Sequence, residues 1–303
     1  MEKEMLSTKE VAKYLNINEK LVYRLIKEKR IPGTRVTGKW TFPKRLIDEW
    51  IVESAKDNLG LVSRARELKD HLVIMGSNDF TIEILSHKLT EKFPDYSLSF
   101  SNVGSVEGLI SLERGSCHIA GCHLLDPESG QYNIPFVERY LPGIPVAIVN
   151  LVHRDIGLIV RAANPHKIKA IKDFGRPGIR IINRQKGSGT RILLDGELQR
   201  LGTNTQSIQG YDREVNTHME VAMAVLSGVA DVGLGIFSAA RMLGLEFIHV
   251  ANEQYDLVIA KANIKAKPVE ALLKVIRSAE FKESVNEMGG YDTKETGKFM
   301  AGE

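Results

Sequence analysis

The chain contains only two cysteines, Cys117 and Cys122, in 303 residues. Two thiols five positions apart make no disulfide framework, so a packed core must hold the fold. No apolar run approaches the roughly 20 residues that a membrane helix needs, so no membrane partner is expected. The first residues, Met1-Glu2-Lys3-Glu4, are charged and carry no apolar stretch of the secretory kind. These shortages together point to the cytoplasm. What the chain does have is the composition of an ordinary globular protein, 43% hydrophobic and 26% charged. Its length suits about two domains.

The formal net charge of +3 is unevenly spread. Residues 1–70 hold 16 Lys and Arg against 11 Asp and Glu, and the rest of the chain holds 25 against 27. A small basic module on a slightly acidic larger one suits a protein whose first domain meets phosphates.

Local signals divide residues 1–54 into short helices. Ser7-Thr8-Lys9-Glu10 reads as a capping box, with Val11, Ala12 and Leu15 on one face of the helix it starts. Asn16-Ile17-Asn18 breaks that helix, and Asn18 is a good cap for a second over Glu19 to Lys29. Leu21, Val22, Leu25 and Ile26 face inward, leaving Lys20, Tyr23, Arg24 and Lys27 on the other side. Two short helices with a three-residue break predict a helix-turn-helix whose second helix enters the DNA major groove. The β-formers of 31–42, centred on Thr37-Gly38, predict a hairpin wing. Pro43 then suits the first turn of a third helix, packed back through Leu46, Ile47, Trp50 and Ile51.

Residues 5–53 resemble the excisionase/MerR-like winged helix-turn-helix family, through LSTKEVAKYLNINEKLVYRLIKEKRIPGTRVTGKWTFPKRLIDEWI. The resemblance implies that Lys20, Tyr23, Arg24 and Lys27 contact double-stranded DNA from the recognition helix. It implies the same for Arg35, Thr37 and Lys39 in the wing. A linker is expected over 55–70. A homodimer is expected too, because a symmetric pair reads two half-sites.

From His71 the pattern changes to alternating strands and helices. Strands at 71–75, 96–100 and 117–120 separate helices at 79–93 and 105–114, which is a βαβαβ unit and implies a parallel sheet. Strands follow near 146–151 and 157–161. The pattern restarts at 178–182, and further strands are expected at 230–233, 246–250 and 255–260. Two βα lobes with a late return to the first describe a clamshell. The fold class is therefore α/β, a small winged helix-turn-helix domain (1–54) followed by a two-lobed ligand-sensing domain (71–303).

Small polar residues gather where the predicted strands end: Ser77 and Asn78, Asn102 and Ser105, His123, then Ser188, Gly189 and Thr190. Ligands of open α/β sheets bind at the carboxyl ends of strands, and helix N-termini favour anions. Arg191 could add a bidentate, charge-assisted bond, and Thr217 and His218 open another helix, where they either line the cleft or cap the helix. Gly187-Ser188-Gly189-Thr190-Arg191-Ile192 lacks the third glycine of a dinucleotide fingerprint and the Lys-Ser/Thr ending of a P-loop. Cys117-His118 and Cys122-His123 do not make a metal site, because alternation along a strand sends neighbours to opposite faces. No catalytic triad or paired carboxylates stand out, so no enzyme is expected.

Residues 71–262 resemble the type II periplasmic-binding-protein fold, in the cytoplasmic branch related to molybdate-binding proteins. The matching stretches are GSNDFTIEIL, HLLDPESGQYN, NRQKGSGTRILLD, THMEVAMAVLSGVADVGLGI and the segment Glu253-Gln254-Tyr255-Asp256-Leu257. The resemblance implies molybdate or tungstate as ligand, with no cofactor, and a regulator rather than an enzyme because the head is a helix-turn-helix. The alternatives are a regulator of an organic metabolite, a molybdenum-cofactor enzyme with a DNA-binding head, and an architectural recombination protein, against which the large second domain argues.

Overall fold

The computed structural model describes residues 4–27, 31–35, 38–58 and 70–302. The chain divides into two compact units, 1–63 and 64–303.

The first unit runs β1 (Met5–Ser7), α1 (Thr8–Tyr14), α2 (Glu19–Lys27), β2 (Thr41–Pro43) and α3 (Lys44–Asn58). The capping box forms: the Glu10 amide donates to Ser7 Oγ at 3.3 Å, and the Ser7 amide donates to Glu10 Oε2 at 2.9 Å. Asn16 turns the chain with φ 54°, a conformation its short amide tolerates, and Asn18 Oδ1 accepts from the Leu21 amide at 2.8 Å. Leu6, Val11, Ala12, Val22, Ile31, Phe42 and Ile47 make the core.

Among the described residues of the expected wing, Thr34 and Thr41 form an antiparallel bridge and exchange two backbone hydrogen bonds at 2.9 Å, while β2 pairs with β1, Leu6 facing Phe42. Three local expectations are corrected here. Pro43 ends β2 instead of opening the helix, and Leu46 is 42% exposed because α3 turns Ile47 inward. Finally, α3 continues to Asn58, past the expected boundary at 54. The rest of the expected linker, 59–69, lies outside the described residues.

The second unit begins with β3 (His71–Gly76), α4 (Phe80–Lys92), β4 (Ser97–Asn102), α5 (Ser105–Glu113), β5 (Ile119–Cys122), α6 (Ile134–Tyr140) and β6 (Val146–Val160). It continues through β7 (Ile181–Arg184), α7 (Gly189–Arg200), β8 (Glu214–Val215), α8 (His218–Leu226), β9 (Val232–Ile236), α9 (Phe237–Met242) and β10 (Glu246–Ala260). It closes with α10 (Lys267–Arg277), α11 (Ala279–Glu287), β11 (Tyr291–Asp292) and β12 (Phe299–Ala301). The strand order is β4-β3-β5-β10-β6-β9-β7-β8.

Two parallel blocks therefore flank an antiparallel pair. β4, β3 and β5 are parallel and belong to the first lobe; β9, β7 and β8 are parallel and belong to the second. β6 and β10 run antiparallel through both, so the lobes share two continuous backbones. Each was expected as two short strands, because polar residues interrupt the apolar pattern at Arg154-Asp155 and Asn252-Glu253. Those polar residues sit where the strands pass from one lobe to the other. The pairing slips there twice, between His249 and Ala251 and between Tyr255 and Asp256. Such irregularities bend a strand and increase its twist. The first lobe buries cores on both faces of its sheet, around Leu72, Ile74 and Leu272 and around Leu109, Ala120 and Phe136. The second packs around Phe174, Ile181, Val221 and Leu234.

Candidate functional site

The carboxyl ends of β3, β4 and β5 meet the carboxyl ends of β7 and β8 across the cleft. A backbone and a side-chain hydrogen bond join the two sides. The Val106 amide donates to the Gly187 carbonyl at 3.3 Å, and Asn102 Nδ2 donates to the Asn216 carbonyl at 2.5 Å. A methyl group added at Gly189 would fall 2.2 Å from the His123 carbonyl oxygen, so the N-terminus of α7 approaches β5 this closely only without a Cβ.

A buried ionic chain forms the floor. Arg154, from β6, donates through Nε and Nη2 to Glu253 Oε2 at 3.1 and 3.0 Å, and through Nη1 to Asp79 Oδ2 at 2.5 Å. Its guanidinium lies 5.0 Å from the Tyr255 ring centre. Asp79 also caps α4 by accepting from the Thr81 amide and hydroxyl, and it accepts from Tyr291 Oη at 3.2 Å. Burial acts to raise the Glu253 carboxyl, but the facing His123 and Arg154 override it and hold the group at about 2. Both carboxylates are thus committed to partners within the protein.

Above this floor the polar atoms lack partners. Arg184 ends β7 and is 1% exposed. Its Nη2 donates to the Asn216 carbonyl at 2.8 Å, its Nε to Gln185 Oε1 at 3.3 Å, and its Nη1 to nothing. Burial, and then the like charge of Arg154, pull it down to about 9. Thr190 Oγ1 and both ring nitrogens of the fully buried His218 are also without partners. Burial, then Arg184, Arg154 and His123, hold His218 well below the usual histidine range. His123 stacks on Tyr255 with ring centres 5.8 Å apart. Its Nδ1 lies 3.2 Å from Glu253 Oε1, an ion-pair distance without good hydrogen-bond alignment, and its Nε2 has no partner. Burial lowers its pKa against the pull of Glu253, with Arg154 and Arg184 helping to lower it. Buried polar groups without partners are rare and costly, so several in one cleft make it the candidate site.

The residues expected from sequence are placed as follows. Ser77 and Ser105 are buried side by side, Oγ to Oγ at 2.8 Å, and Ser105 Oγ accepts from the His123 amide at 3.3 Å. Asn78 and Asn102 each keep an unpartnered Oδ1. Gly189 and Thr190 form the first turn of α7, whose leading amides have no intrahelical acceptor. Three side chains are spent elsewhere. Ser188 caps α7, accepting from the Arg191 amide at 3.2 Å and donating to the Gln185 carbonyl at 2.9 Å. Thr217 Oγ1 caps α8 in a box with Glu220. Arg191 does not point its charge at the cleft: Nε donates to Asp195 at 2.9 Å and Nη1 to Glu214 at 2.8 Å, with the guanidinium 4.4 Å from the Tyr211 ring centre. The cleft guanidinium with an unpartnered nitrogen among the described residues is that of Arg184, which lies two positions past the strand end expected at 182. His218, one of the two helix-start residues expected to line the cleft or cap the helix, is buried there, and the Arg154–Glu253 pair carries no local signal.

Cys117 and Cys122 are buried free thiols, and His118 Nδ1 accepts from the Val73 amide at 2.8 Å. Among the described residues no cluster of three His, Cys, Asp or Glu side chains is placed to hold a metal ion. No helix among them is long and apolar enough to cross a membrane.

In the first unit, α2 exposes Lys20, Tyr23, Arg24 and Lys27 on one surface while Val22 is fully buried. Arg35 and Lys39 are exposed as well, and Arg35 Nε donates to the Gly38 carbonyl at 2.8 Å. Thr37 lies outside the described residues.

Comparison with known proteins agrees with this architecture. A family model described as a helix-turn-helix domain matches residues 5–53, and one described as a PBP superfamily domain matches residues 86–277. YvgK of Bacillus subtilis (strain 168), an uncharacterized protein, is 36% identical over 96% of both chains. A putative phosphate ABC transporter substrate-binding protein from Clostridium perfringens, solved with bound phosphate, is similar in fold with a TM-score of 0.55. It is 17% identical and is aligned over 72% of this chain and 98% of its own. The tungstate ABC transporter protein from Geobacter sulfurreducens is similar with a TM-score of 0.52 and 16% identity, over 72% and 98%. A helix-turn-helix joined to such a domain fits a ligand-responsive transcriptional regulator. The chain belongs to the PBP superfamily and carries a helix-turn-helix domain at its N-terminus.

Proposed function

We propose that this protein is a cytoplasmic, homodimeric transcriptional regulator whose clamshell closes on a small tetrahedral oxyanion, with molybdate and tungstate the leading candidates. The observation that carries the reading is Arg184, a buried cation with a free Nη1. A desolvated guanidinium without a carboxylate is costly, and an anion in the cleft would offset that cost. Thr190 Oγ1 and the first-turn amides of α7 add donors suited to oxygen ligands. One protein of the same fold is solved with bound phosphate and another is a tungstate ABC transporter protein, which supports the ligand class, and the sequence resemblance favours molybdate and tungstate.

The regulatory step would be a population shift. Ligand contacts from both lobes exist together only when the cleft is closed, so the ligand favours that form by its differential affinity. Lys20, Tyr23, Arg24, Lys27, Arg35, Thr37 and Lys39 would anchor the head on DNA phosphates and bases.

Thermal unfolding of the purified protein with molybdate, tungstate, sulfate and phosphate in turn tests the ligand. At 100 times its Kd a ligand stabilises the native state by roughly 2.7 kcal/mol. A shift with molybdate or tungstate is expected. No shift with any of the four would overturn the oxyanion reading and redirect the search to organic metabolites.

A further inference from the structure

Glu253 constrains which proton His123 can carry. Its Oε1 faces His123 Nδ1 at 3.2 Å, and its Oε2 is held by two nitrogens of Arg154. A bare nitrogen lone pair beside a carboxylate oxygen is repelled, so the neutral ring keeps its hydrogen on Nδ1. Nε2 is then the acceptor nitrogen; like Nδ1 it has no hydrogen-bond partner within the protein, but only Nδ1 has a carboxylate beside it. An oxyanion with no hydrogen of its own offers only acceptors, and would meet a lone pair at Nε2. The encounter becomes attractive only if Nε2 also carries a hydrogen.

Resting on the oxyanion reading above, we infer that the cleft takes up its anion together with one proton, which is lodged on His123 Nε2. A solvent-borne acid gives up the proton, an N–H bond forms at Nε2, and the imidazolium donates through it to the anion. Glu253 is a positioning residue that supports the new cation through Nδ1.

The surroundings agree with this assignment. His123 is met by Glu253 and the Tyr255 ring from β10, Arg154 from β6, Arg184 from β7 and His218 from α8. With both imidazoles neutral, the net charge of Arg154, Arg184, Asp79 and Glu253 is zero, although both carboxylates contact Arg154 and neither hydrogen-bonds Arg184. A bound dianion therefore leaves excess negative charge in a desolvated cleft, and a proton on His123 relieves it. His218 has no carboxylate contact comparable to that of His123, so the first proton goes to His123. The anion raises the His123 pKa on binding, so affinity should fall as pH rises. For one coupled proton the fall is about tenfold per pH unit above the free-state pKa.

Titration calorimetry of the full chain with tungstate at pH 8, in buffers of differing ionisation enthalpy, measures the coupling. The observed enthalpy should change with buffer ionisation enthalpy at a slope corresponding to about one proton taken up per anion. His123→Gln should bind tungstate more weakly with a slope near zero, and His218→Gln should keep the wild-type slope. Side-chain 15N NMR of the wild-type protein should show His123 passing from the neutral Nδ1–H form to imidazolium on tungstate addition, a readout that needs no variant to fold. Tungstate binding with zero slope and an unchanged His123 signal would overturn the inference alone. A wild-type slope retained in His123→Gln would also overturn it. Absence of binding by tungstate, molybdate, sulfate and phosphate would overturn the reading on which it rests.

Discussion

Asn102 and Asn216 are joined across the cleft: the side-chain amide of the first, at the end of β4, donates to the carbonyl of the second, just before α8, at 2.5 Å. Arg184 donates to the same carbonyl from the second lobe. One oxygen thus receives a closing contact and orients the arginine assigned to the ligand.

Asn102→Ala should loosen closure without disturbing either core. A net hydrogen bond contributes about 0.5–1.5 kcal/mol, so tungstate should bind roughly two- to tenfold more weakly. Calorimetry gives the affinity, and small-angle scattering of the unliganded protein should show a larger radius of gyration. Unchanged affinity and radius would remove the contact from the closing mechanism.

Arg184→Met separates stability from binding. The variant loses an uncompensated buried cation while Asn102 still satisfies the Asn216 carbonyl. The ligand-free protein should unfold at a higher temperature than wild type, because an apolar side chain of similar length costs less to bury. Anion binding should weaken by about 2–5 kcal/mol, the loss expected on truncating a buried charged partner. A variant less stable than wild type that still binds tungstate would contradict both halves.

Asp256 should leave a mark on the pH dependence of stability. Burial raises its carboxyl to about 6 from 3.8, against the pull of the Asn133, Asn150 and Gln254 amides. The folded state then binds the proton more tightly than the unfolded state. That favourable term is fully present below pH 3.8 and is lost as pH rises through 6. Glu253 works the other way, stabilising above its ordinary 4.5 and failing as pH falls towards 2. Denaturant unfolding of Asp256→Asn should show a smaller fall in stability between pH 4 and 6 than wild type does. An identical profile would mean that Asp256 does not titrate in this window.

Arg24→Ala should leave folding unchanged, because the side chain is exposed on α2. If Arg24 neutralises a phosphate, the slope of log affinity for DNA against log salt should become shallower by about 0.9. An unaltered slope would remove Arg24 from the interface.

How far the sequence could be read depended on the range over which each signal acts. The Ser7–Glu10 box and the Asn18 cap are four-residue events, and the pattern of apolar residues shows them. The α/β alternation and the strand-end polar residues Ser77, Ser105, His123 and Thr190 are equally local. Arg154 and Glu253 are not: they pair across 99 positions. Seen one at a time they read as breaks in a strand, and so β6 and β10 each appear as two pieces. Arg191 and Arg184 both lie beside the glycine loop, and nothing local in the sequence tells their environments apart. The difference is made by Asp195, Glu214 and Tyr211, which occupy the Arg191 guanidinium, while Arg184 keeps an unpartnered Nη1.

The passage of β6 and β10 through both lobes also governs the order in which the protein can be assembled during synthesis. The second lobe lies between them in the chain, so most of its core is available once β10 begins. The first lobe starts earlier yet waits longer, because its core needs Tyr255, Leu257 and Ile259 of β10 and Val269 and Leu272 of α10. Until those residues leave the ribosome, β5 lacks its antiparallel neighbour and presents an open sheet edge. The half of the clamshell made first is completed last, and that interval is when a nascent chain is most exposed to aggregation.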